Sequence, residues 1–141
     1  MKIKHITPKD IYVIRLDYDE DVLSSLRKAV SELEISNGII LNGTGSIRNY
    51  KYHDVGHREL PTFRAYSEGA EPADIISVSG FILGGNVHAH ISMGKPGQAY
   101  GGHLEEGCRI LTFGAIAIMK IDEPLDGLDD VGTSDVFEES R

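Results

Sequence analysis

"GGNVHAHISMGKPGQAYGGHLEEGC", residues 84–108, gathers three of the chain's six histidines and frames them with glycine. Its centre, Gly94-Lys95-Pro96-Gly97-Gln98, reads as a turn, because Pro supplies a fixed φ and Gly a positive one. The two flanks then form an antiparallel hairpin. With the loop centred between Pro96 and Gly97, His90 faces His103 across the strands and His88 faces Glu105. Side chains alternate along a strand, so His88 and His90 share one face and Ala89 takes the other.

Directly opposed Cβ atoms lie about 5 Å apart and diagonal ones roughly 7–8 Å. His88, His90 and His103 would therefore share a face and converge on one ion. Each neutral imidazole offers one nitrogen lone pair, and three of them suit a divalent metal, zinc above all, at about 2.0–2.1 Å. Three protein ligands leave a position open for water or substrate, as in catalytic zinc sites. The competing reading is that histidines on an exposed hairpin are polar cover. A bare His-x-His favours that reading; a third histidine at the matching cross-strand position favours the metal. The geometry depends on register, since an odd-length loop or a bulge at Gly101-Gly102 would turn His103 away. Close approach of another backbone is the other use for those glycines. His5, His53 and His57 lack any such arrangement and read as surface or loop residues.

Working outward, Ile75–Leu83 alternates, with Ile76, Val78 and Ile82 on one side and Ser77 and Ser79 on the other. Ile110–Ile121 is apolar on both faces, as a central strand is when something covers each side. Towards the N-terminus, Ile11–Leu16 reads as a strand. Val22, Leu26, Ala29, Val30 and Leu33 then form one helical stripe. Asp17, Asp19 and Asp21 are its candidate caps, and Asn37-Gly38 its expected stop. Gly38–Leu41, Ile47–His53 and Arg64–Tyr66 read as short strands. LNGTGS, residues 41–46, resembles a phosphate loop, but such a loop opens a helix; here a β-like segment follows, so a tight glycine turn is expected. The expected fold is α/β of the α+β type: one domain, a mainly antiparallel sheet, and one main helix packed on it. A second subunit is an economical cover for the remaining face.

A chain of 141 residues supports one such core. No apolar run approaches the roughly 20 residues of a membrane span, and MKIKHITPKD has no signal-peptide core, so a cytoplasmic protein without a membrane partner is expected. Cys108 is the only cysteine, which excludes a disulfide framework and Cys-rich zinc modules and leaves a small buried thiol. The net charge of -8 is concentrated at the end: residues 122–141 carry eight acids and one base. The body is nearly neutral, and its scattered bases give phosphate-backbone binding no electrostatic support. Residues 1–121 are thus the domain and 122–141 an acidic tail, interrupted by Leu125, Leu128, Val131, Val136 and Phe137.

The order ADIISVSGFI, VHAHISM, a glycine-containing turn, AYGGHLEEGCRI and an apolar closing strand resembles the plants-and-prokaryotes-conserved domain, abbreviated PPC or PCC. The resemblance covers nearly the whole chain except the acidic tail. It implies an antiparallel α/β domain assembled as a homotrimer, with prokaryotic members able to hold a metal through histidines matching His88, His90 and His103. Plant members lack those histidines and add short basic AT-hook segments, which this chain does not contain. Two functions follow as expectations. One is a trimer with a three-histidine divalent-metal site acting on an unread small substrate by hydrolytic or lyase chemistry, with Glu105 or Glu106 as the base. The alternative is a non-enzymatic DNA-binding or transcription-regulatory trimer.

Overall fold

Asp21 starts the helix. In a computed structural model, described for residues 1–132 and 136–137, one Asp21 oxygen accepts from the Ser24 amide at 2.9 Å and the other from Gly107 at 2.7 Å. Such a cap satisfies amides that the first helical turn leaves unpaired. The helix α1 (Val22–Glu32) buries Val22, Leu23, Leu26 and Val30 against the sheet. It ends before the expected Asn37-Gly38. Glu34 takes the left-handed conformation (φ 52°), and the amides of Glu34 and Ile35 return to Ser31 and Val30. This is a Schellman closure with glutamate where glycine is usual, so composition does not announce it. Asn37 is instead buried and accepts from the amides of Gly84 (3.3 Å) and Leu125 (2.8 Å).

Seven strands form one sheet: β1 (Pro8–Leu16), β2 (Gly38–Val55), β3 (Arg64–Gly69), β4 (Ala73–Leu83), β5 (Asn86–Lys95), β6 (Gln98–Leu104) and β7 (Arg109–Ile121). Their order is β1-β7-β2-β4-β5-β6, with β3 added beside β2, and these named pairings are antiparallel. The far end of β2 also pairs with β6, so β2, β4, β5 and β6 close on themselves.

Two sequence expectations change here. LNGTGS is not a turn: it lies inside β2, paired with β7, and register shifts after Ile40 and Gly45 absorb its glycines. Such irregularities are a common use of glycine within strands. In β4, a register shift between Ile75 and Ser77 reverses the alternation. Ile76 therefore points outward, while Ile75, Val78 and Ile82 are buried.

The core lies between α1 and the sheet, where Leu26, Ile47, Met93, Ile110 and Ile118 are fully buried. Each such side chain contributes about 1.5–3 kcal/mol by leaving water. β7 is central, as its composition predicts, but its other face is open. Leu111 and Phe113 stand exposed at one end of it, and Ile11 and Val13 of β1, opposite Met119 and Ala117, are exposed further along. Among the described residues no helix is long and apolar enough to cross a membrane.

Candidate metal centre

The hairpin register agrees with the expectation. Lys95 pairs with Gln98 around a two-residue turn in which Gly97 has φ 74°, and the ladder runs on to His90 opposite His103. No bulge interrupts it at Gly101-Gly102. Those glycines serve close approach within the chain itself: a Cβ on Gly102 would lie 2.6 Å from the His53 carbonyl oxygen.

That approach carries a correction. His53, expected at the surface, is 6% exposed. After leaving β5, strand β6 meets β2, so His103 pairs with His90 on one side and with His53 on the other. Ser79, His90, His103, His53 and Tyr66 thus form one rung across five strands. The His53 ring stacks on His103 with centroids 4.4 Å apart. Nothing local to residues 50–55 signals this partnership; the paired glycines at 101 and 102 are the one trace of it in the sequence. His5 and His57 are exposed, as expected.

The rings of His88, His90 and His103 are brought together. Their centroids are 5.9 Å (His88–His90), 5.0 Å (His88–His103) and 5.5 Å (His90–His103) apart. Three imidazoles bound to one tetrahedral ion at about 2.0–2.1 Å place their ring centres about 5 Å apart. A second donor group shares His103: ligand atoms of His53, His103 and Glu105 lie within 4.8 Å of one another.

Glu105 does not stand opposite His88. Its amide donates to the Lys51 carbonyl at 3.2 Å, which takes the chain away from β5 and turns the carboxylate onto His53 Nδ1 at 2.6 Å. The same oxygen is 3.7 Å from His103 Nδ1, too far for a hydrogen bond. Glu106 points elsewhere, paired with Arg27 at 2.6 Å. Only Glu105 of the two candidate bases touches the histidines.

The electrostatics suit metal binding. Burial, followed by the neighbouring His53 and His88, pushes the His103 pKa down to about 4; Glu105 opposes this without reversing it. Burial and the same two histidines also lower His90. At neutral pH His103 is therefore an uncharged ring with a free lone pair, the form that ligates a metal. Its Nδ1 is buried with no hydrogen-bond partner. Beside His90, a groove of about 500 Å³ runs past Asp54, Ser77, Ser79, Ser92 and Tyr100. Cys108 is a buried free thiol whose pKa burial raises to about 11, and its Sγ–H donates to the Lys51 carbonyl at 3.2 Å.

Comparison with known proteins places this geometry. A sequence model of the Plants and Prokaryotes Conserved (PCC) domain matches residues 4–122. A plant- and prokaryote-conserved protein of Pyrococcus horikoshii superposes with TM-score 0.77 at 24% identity, covering 100% of this chain and 99% of that one. A metal-containing protein of Archaeoglobus fulgidus gives TM-score 0.75 at 23% identity over 88% of each chain. A Bacteroides thetaiotaomicron protein, provisionally described as DNA-binding, gives 0.70 at 19% identity over 84% of this chain and 86% of its own. Among curated proteins, a bifunctional protein GlmU of Synechococcus is 27% identical over 112 residues, 77% of this chain. The chain spans only 16% of that relative's length.

Proposed function

The chain belongs to the Plants and Prokaryotes Conserved domain family, and we propose that it is a metal-binding member whose His88, His90 and His103 hold one divalent ion, zinc by donor type. The separation of the three rings, 5.0–5.9 Å, carries this reading. His103, kept uncharged at neutral pH because burial lowers its pKa to about 4, adds to it. A divalent ion with an open coordination position supplies Lewis acidity to a bound substrate. The chain's own groups do the rest. His53 and Glu105 brace His103 from behind, Glu105 is the carboxylate placed to accept a proton, and the serine-lined groove beside His90 orients a small polar substrate.

The tight grouping of His53, His103 and Glu105 favours a second ligand set around the same histidine. Elemental analysis of the purified protein separates the two. With the first set, His88→Ala and His103→Ala lose the metal and His53→Ala keeps most of it; with the second, His53→Ala and His103→Ala lose it and His88→Ala does not. Equal metal in His103→Ala and wild type would sink both.

Self-association is part of the proposal: the β1–β7 face that exposes Ile11, Val13, Leu111 and Phe113 is the one that a homotrimer would bury. The regulatory alternative rests on the DNA-binding description of the Bacteroides neighbour. It predicts DNA binding that falls steeply with salt; absence of binding at low salt removes it.

A further inference from the structure

The family match stops at residue 122, yet the chain beyond it comes back to the histidines. Leu125 is 3% exposed and packs with Leu83 and Ile121. Its amide bonds to Asn37 Oδ1, the same oxygen that holds the Gly84 amide in the β4–β5 turn. Asn37 therefore ties the start of the tail to the turn that leads into His88. Two further backbone bonds, Leu128 to Leu125 and Asp130 to Gly127, curl the chain. The curl brings Asp129 Oδ2 to 3.0 Å from His88 Nδ1. Further on, Val136 accepts from the Thr62 amide at 2.9 Å, and Phe137 meets the edge of His53 at 6.4 Å. The tail thus touches the histidine cluster at both ends.

We propose that this acidic segment is a working part of the metal centre, with Asp129 the positioning residue for His88. The inference rests on His88 being a ligand, as proposed above. An imidazole that donates its Nδ1–H to a carboxylate is fixed in one tautomer, with its Nε2 lone pair free and its ring held in orientation. Loss of such an outer partner typically weakens metal binding about 10–100-fold. Residues 122–132, part of the acidic tail that composition separates from the domain, then complete the site that the domain begins.

Zinc titration of the full chain against a chromophoric chelator tests this. Asp129→Asn is expected to weaken zinc binding by about 10–100-fold, while Asp10→Asn, an equal charge change on β1, leaves it unaltered. Asp129→Glu, which keeps the carboxylate, should recover part of the loss. Nitrogen-15 shifts of the His88 ring in metal-free protein give a readout that simple loss of packing would not mimic: wild type shows protonated Nδ1, and Asp129→Asn moves the ring towards the other tautomer. Wild-type zinc affinity in Asp129→Asn, alongside loss of zinc binding in His88→Ala, overturns the role of the tail and leaves the three-histidine site standing. Wild-type affinity in His88→Ala overturns the ligand set and this inference with it.

Discussion

The two flanks of the sheet are finished in opposite ways. At the β5–β6 flank, polar side chains from three strands and the tail turn towards one another, and His53 and His88 each meet a carboxylate. At the β1–β7 flank, Ile11 and Val13 are 63% and 73% exposed, and Leu111 and Phe113 are exposed further along β7. The polar flank's side chains are satisfied largely by their own chain. The apolar side chains of the other flank are left in water, as at surfaces that meet other proteins.

Four measurements would break or sharpen that contrast. The largest effect is expected from His103→Ala, which should take bound metal to background in elemental analysis while the protein still folds, since a rung neighbour and not the core is removed. Next, the proposed trimer predicts that wild type has three times the single-chain mass in solution and that Val13→Asp combined with Phe113→Asp reduces it to one, with metal content retained; an unchanged mass would show that this face is not the subunit contact. Glu105→Gln should then weaken zinc binding by less than about 10-fold, because its hydrogen bond goes to His53 and its charge stands 3.7 Å from His103 Nδ1. The smallest effect concerns pH. The His103 pKa is about 4 in the folded protein against an ordinary 6.5, so the unfolded chain takes up the proton first. The contribution of His103 to the stability of the metal-free protein should be full above pH 6.5, fall away as pH drops towards 4, and level off below. His103→Gln should flatten that slope in urea midpoints measured against pH.

The polar flank was legible in the sequence only as far as its contacts are local. His90 opposite His103 follows from a turn a few residues away, and a two-residue loop with Gly97 at positive φ leaves little freedom in the count. His53 reaches the same rung through a pairing between residues fifty positions apart, which no periodicity encodes. Glu105 was placed one rung too far along the hairpin because the ladder was extended past Leu104, where β6 exchanges β5 for β2. Ile76 failed for a related reason: one bulge reverses a strand's inward and outward positions, and no residue type marks this one. The helix stripe and the apolar closing strand, by contrast, follow from burial alone. Glu34 in the left-handed position hid only where the helix stops.

The closure of β2, β4, β5 and β6 bears on how an ion would be received. His103 has a paired strand on each side and His90 lies between β4 and β6, so the backbone beneath these two donors is already fixed. An incoming ion then has to order only imidazole torsions, a far smaller entropy loss than organising a loop. Loading the site becomes a matter of rotating side chains upon a finished frame.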